Sequence, residues 1–115
     1  MSYTLFIDDV RSPTPDLGRP ELAINVAEAI DLVNILGLPE RISFDHDLGK
    51  NEPTAMIFMK WLVEGHLDER FDLNTIKEII IHSANPVGAG NLQGLWNGFA
   101  KSELDSGVLA IMRPR

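Results

Sequence analysis

The sequence predicts an α/β domain built on a mostly parallel sheet, and three observations carry that expectation. Short apolar strand candidates alternate with helix candidates along the chain. Each strong strand candidate stops abruptly at polar residues with chemistry to offer. The composition, 44% hydrophobic and 23% charged, is that of an ordinary globular protein. It excludes a disordered, collagen-like or coiled-coil chain. A length of 115 residues suits a single domain over residues 1–115.

The first strand is expected from Tyr3 to Asp8, where Leu5, Phe6 and Ile7 form an apolar run that ends at two acids. Arg11 to Glu21 carries Pro13, Pro15, Gly18 and Pro20, so a loop is expected there. Leu22 to Asn25 is a weak second strand, and Val26 to Leu36 a helix stopped by Gly37-Leu38-Pro39. Arg41 to Phe44 is a third strand. Pro53 suits a first helical position, and Thr54 to Leu67 is apolar almost all round, as in a helix buried against a sheet. Ile76 to Ile81 is the fourth strand. Asn91 to Lys101 places Leu92, Leu95, Trp96 and Phe99 on one helical face, and Val108 to Met112 is the fifth strand. The link between the first two strands is the irregular point. A parallel crossover ordinarily carries a helix, so either this link lacks one or the second strand runs antiparallel.

The chain carries 17 acidic against 10 basic residues, a formal charge of −7, and no cysteine. Disulfide scaffolds, thiolate metal sites and a cysteine nucleophile are excluded. The acidity argues against gripping duplex nucleic acid along its backbone. No apolar run approaches a membrane span, and the N-terminus turns acidic too early for a signal peptide. A cytoplasmic location and no membrane partner are the expectation.

Parallel strands bring their carboxyl ends to one sheet edge, where open α/β sheets bind ligands. Asp8-Asp9, Asp45-His46-Asp47, His82-Ser83 and Arg113 would meet there. A single aspartate after a strand is ordinarily a turn former or helix cap. Their coincidence at every strong strand end favours a site. Clustered carboxylates repel unless a cation sits among them, and hard oxygen ligands suit Mg²⁺ or Mn²⁺. Ser83 and Arg113 are group types that hold phosphoryl oxygens. The stretch from Asn85 to Asn91 opens a helix whose N-terminal amides suit an anion. His66, near a helix end, reads as a surface charge, and Trp61 and Trp96 as core.

The motif order resembles the receiver domain of two-component signalling. Asp8-Asp9, Asp45-His46-Asp47-Leu48, Ser83-Ala84 and Arg113-Pro114 fall where receivers carry their acidic pair, phosphoacceptor, hydroxyl and lysine-proline motifs. Arg113 in place of lysine, a first helix reduced to the proline-rich loop, and His46 and His82 beside the pocket depart from that pattern. These features are more similar to a divergent phage and bacterial family, the cyclic-phosphate processing receiver domain. Phe6-Ile7-Asp8-Asp9-Val10-Arg11, Ser43 to Gly49 and His82 to Ala89 resemble its signature blocks. The resemblance implies a doubly wound five-stranded sheet of order 2-1-3-4-5. It also implies a role on cyclic or terminal phosphates, in RNA repair among other settings.

The first functional expectation is a metal-dependent phosphoesterase acting on a small phosphorylated substrate, a nucleotide or an RNA 3′ end. Asp8, Asp9, Asp45 and Asp47 are the metal candidates. Ser83, Arg113, Arg11 and Asn85 are the phosphate-binding candidates. His46 and His82 suit proton transfer near neutral pH, with the acid and base roles open between them, and Asp45 joins them in the catalytic set. The alternative is a non-catalytic module in which Asp45 accepts a phosphoryl group or the pocket binds a nucleotide. A haloacid-dehalogenase reading of Asp45-x-Asp47 and an all-helical His-Asp phosphohydrolase reading both conflict with the strand pattern. A monomer or homodimer is expected, the dimer using the apolar face of the helix from Asn91.

Overall fold

The computed structural model describes residues 2–9 and 19–113. The expected loop, including Arg11, Pro13, Pro15 and Gly18, falls almost wholly outside these residues. Five strands form one sheet: β1 (Thr4–Ile7), β2 (Glu21–Ala23), β3 (Arg41–Phe44), β4 (Glu78–Ile81) and β5 (Ala110–Met112). Their order is β2-β1-β3-β4-β5, and all four neighbouring pairs are parallel. The open question about the second strand is thereby answered: it runs parallel to β1.

Three helices connect the later strands: α1 (Val26–Leu36), α2 (Ala55–Leu67) and α3 (Pro86–Glu103). The steps from β2 to β3, β3 to β4 and β4 to β5 all move the same way across the sheet. Right-handed crossovers then place the three helices on one face. The packing agrees, because α2 touches both α1 and α3. Leu5, Ile7, Ala23, Ile42, Phe44, Ile79, Ile81 and Ala110 face that layer and form the core with Val33, Phe58, Leu62, Leu92 and Trp96.

The opposite sheet face is organised in rows. Pairing aligns Leu22, Phe6, Ser43, Ile80 and Ile111 across the five strands. Phe6 and Ile80 make a small apolar cluster of their own there. The ladder continues one step further, through the N–H groups of Asp8, Asp45, His82 and Arg113. Side chains alternate faces along a strand, so these four residues form the next row on the face of Phe6 and Ser43.

Several boundaries differ from expectation for identifiable reasons. Helix α3 begins at Pro86, not Asn91, because Asn85 caps it: its Oδ1 accepts from the Gly88 N–H at 2.9 Å. Pro86 at the first helical position needs no donor. The glycines at 88 and 90 are therefore helical. Pro53 lies before the N-cap Thr54, not inside α2. Asn25 ends no strand; its Oδ1 accepts from the Glu28 N–H at 2.9 Å and caps α1. The start expected for β4 at Ile76 is instead the end of a 3₁₀ turn over Leu73–Thr75.

His66, in the last turn of α2, is half-buried and not exposed at the surface. Its Nδ1 accepts from the Leu73 N–H at 3.0 Å, and its ring meets Phe99 edge-on. Trp96 is fully buried and donates from Nε1 to the Val108 carbonyl at 2.8 Å. Leu92, Trp96 and Phe99 are buried in the core, with Leu95 partly buried against it. Gln93 and Asn97 bond the carbonyl and amide of Ala110. These bonds cover backbone groups of the edge strand β5 that would otherwise invite pairing. Among the described residues no helix is long and apolar enough to cross a membrane.

Candidate functional site

All the strong strands end at the same sheet edge, because every pair is parallel. Asp8 ends β1, Asp45 ends β3 and His82 ends β4, each held by a ladder hydrogen bond to the neighbouring strand. Ligand oxygens of Asp8, Asp9 and Asp45 lie within 4.8 Å of one another. Asp8 and Asp45 are buried, and Asp9 is half-buried. Three carboxylates that close repel strongly at low dielectric. A divalent cation offsets that repulsion, and an all-oxygen donor set of this kind fits Mg²⁺ or Mn²⁺.

Gly49 closes one side of the group. A Cβ there would approach Asp9 Oδ2 to 3.3 Å, and the residue's φ of +113° is one that side-chain-bearing residues rarely adopt. The loop from Asp45 to Gly49 therefore both supplies a carboxylate and passes close over another.

His82 stands behind the acids. Its Nε2 lies 3.1 Å from Asp8 Oδ2 and its Nδ1 2.7 Å from Ser43 Oγ. A carboxylate only accepts, so Nε2 carries the proton; in the neutral ring Nδ1 accepts the Ser43 hydroxyl hydrogen. The ring also stacks on Phe6. The side chains of His82 and Asp8 are 8% and 0% exposed, so this pair orients a carboxylate and does not meet solvent. Sequence reasoning missed Ser43 and Phe6. The signal was present in the alternation along β3, which puts Ser43 on the same face as Asp45.

His46 occupies a second polar group. Its Nδ1 donates to Asp47 Oδ1 at 2.8 Å, and Asn85 Nδ2 donates to Asp47 Oδ2 at 3.1 Å. The bond from His46, then that from Asn85, hold the Asp47 carboxyl below its ordinary range. The His46 ring lies against α3: a Cβ on Gly88 would come within 2.4 Å of it. Asp47 is thus placed with His46 and Asn85, outside the three-carboxylate group that the sequence expectation had it join. Asn85 spends its side chain on Asp47 and on the Gly88 N–H, so that amide is not open to an anion.

Ser83 and Arg113 line an open cleft of about 440 Å³ between the ends of β4 and β5 and the first turn of α3. Ser83 Oγ accepts from the Asn85 N–H at 3.1 Å. Arg11 lies outside the described residues. Among the described residues, no buried side-chain nitrogen or oxygen lacks a hydrogen-bond partner.

Strand order, helices on the face under the main core and acids at the carboxyl edge together define a receiver-like α/β domain. The chain belongs to the Cyclic-phosphate processing Receiver domain family, whose model matches residues 3–98. No curated protein and no solved structure matches the chain significantly.

Proposed function

We propose that this chain is a metal-dependent phosphoesterase that opens a cyclic phosphate to a phosphomonoester. The observation that carries the proposal is the convergence of Asp8, Asp9 and Asp45 within 4.8 Å at the sheet edge. Membership of a family named for cyclic-phosphate processing supplies the substrate class. The three carboxylates would hold Mg²⁺ or Mn²⁺, which supplies a Lewis acid for phosphoryl oxygens and lowers the pKa of water.

The chain's own groups do the rest. Ser83 and Arg113 border the cleft and offer a hydroxyl and a guanidinium to the non-bridging oxygens. His82 is engaged at both nitrogens, so it holds Asp8 in one orientation and transfers no proton to substrate. That leaves His46, with its Nδ1–H on Asp47, as the proton donor to the leaving ribose oxygen. Asp47, kept ionised by its partners, accepts the Nδ1–H and fixes the orientation of the His46 ring. In the balance, water's oxygen bonds phosphorus and one ring ester bond breaks. One water proton passes to bulk solvent, the freed alkoxide gains a proton from His46, and His46 regains its proton from solvent.

Incubation with a 2′,3′-cyclic nucleotide, followed by phosphorus NMR, tests this reading. Ring opening is expected with Mg²⁺ and is expected to stop with EDTA, with Asp45→Asn and with His46→Gln. Opening that survives Asp45→Asn overturns it. A stable phosphoryl adduct formed from acetyl phosphate, with no ring opening, favours the non-catalytic alternative in which Asp45 is the acceptor.

A further inference from the structure

The cleft beside the carboxylates has a composition unlike the rest of this edge. Its apolar lining is Ile81 from β4, Ala84 ahead of α3, Pro86 and Ala89 from the first turn of α3, and Met112 from β5, and its polar rim is Ser83 and Arg113. In a chain with a net charge of −7, the lining holds one guanidinium and, among the described residues, no carboxylate. Ala84, Pro86 and Ala89 are small apolar side chains, and Met112 is 43% exposed, a polarisable side chain set against solvent. Its volume of about 440 Å³ lies within the range of small-molecule sites.

We infer that this cleft is a nucleoside subsite, taking the base and ribose of the ligand whose phosphate lies against Ser83 and Arg113. The inference rests on the phosphoesterase reading for the position of that phosphate. The geometry argues for a nucleoside over other bodies in three ways. A planar base suits a lining of alanine, proline and methionine side chains, where its faces gain from excluding water. The rim carries a cation and a hydroxyl, which suit a phosphorylated sugar and repel no part of it. Ser83 and Arg113 share one lining with the apolar residues, so a ligand held there by its phosphate has its remaining part against them.

The selectivity that follows is for a phosphate with a base attached over the same phosphate on a bare polyol. The full-length chain carrying His46→Gln, in which ring opening is expected to stop, is titrated calorimetrically in Mg²⁺ with adenosine 2′,3′-cyclic phosphate and with glycerol 1,2-cyclic phosphate. The nucleotide is expected to bind at least about tenfold more tightly. Ala84→Trp fills the cleft from an exposed position, and Met112→Trp fills it from the β5 side, neither adding a charge. Both are expected to erase the difference while leaving glycerol cyclic phosphate within about twofold of its original affinity. Equal affinity for the two ligands, or a difference that survives both substitutions, overturns the subsite and leaves the phosphoesterase reading standing. Binding of neither ligand overturns that reading, and the subsite falls with it.

Discussion

The imidazole of His82 lies flat on the phenyl ring of Phe6, with centroids 4.8 Å apart and planes 5° from parallel. The stack sets the plane of the imidazole, and Ser43 and Asp8 set its rotation within that plane. A histidine held this way acts as a strut between two strands. Removing the Ser43 hydroxyl leaves a buried ring nitrogen without its partner, so Ser43→Ala is expected to destabilise the fold by about 1–3 kcal/mol. Urea unfolding measures it; an unchanged midpoint would show that the contact contributes nothing.

The three carboxylates at the sheet edge make an opposite pair of expectations. Asp45→Asn relieves repulsion and is expected to raise the melting temperature in EDTA. The same substitution is expected to abolish stabilisation by Mg²⁺, which for the unaltered chain should reach about 2.7 kcal/mol at a hundredfold excess over Kd. Thermal melts with and without Mg²⁺ check both signs. A substituted chain that still responds to Mg²⁺ would place the ion elsewhere.

Glycines along α3 separate into two kinds. A methyl at Gly88 would collide with the His46 ring, whereas Gly94 and Gly98 have open space in that direction. Gly88→Ala is expected to destabilise by about 1–3 kcal/mol through overpacking. Gly94→Ala is expected to stabilise by about 0.5–1 kcal/mol, because a helix interior favours alanine. Denaturant midpoints of the two variants should move in opposite directions, and parallel shifts would refute the distinction.

Tyr3, the single tyrosine, donates its hydroxyl to the Gly37 carbonyl at 2.6 Å. Burial first, and then the charge of Glu21, push its pKa up to about 12 from 10.0. A pKa raised in the folded state adds stability that is complete below the unfolded value and fades as pH rises through the folded one. The loss is therefore expected between pH 10 and about 12. Phenolate absorbance should titrate near the upper figure in the folded chain, and Tyr3→Phe should remove this part of the alkaline loss. A phenolate midpoint at the ordinary value would contradict the assignment.

The parts of the fold written in runs of apolar residues were legible in the sequence. Leu5-Phe6-Ile7 and Ile79-Ile80-Ile81 are strands buried on both faces, and such strands advertise themselves. The carboxylates of Asp8, Asp9 and Asp45 were legible because each stands where such a run ends. What stayed hidden depended on partners distant in the chain. Asp47 reads as a fourth metal candidate until Asn85 is seen to hold it with His46. His66 reads as a charge until the 3₁₀ turn offers it the Leu73 amide. The start of α3 was obscured because its glycines argue against a helix, while the Asn85 cap and Pro86 outweigh them.

The all-parallel pairing also dictates an order of assembly. No two neighbouring strands can meet as a hairpin, so every ladder waits for an intervening segment to be laid down. Asp8 and its imidazole partner are 74 positions apart. A nascent chain that has emerged only through α2 carries all three acids but lacks the residue that braces the first of them. The carboxylate edge is thus a late product of synthesis, complete only once β4 has docked, and short chains released early would carry its charge without its geometry.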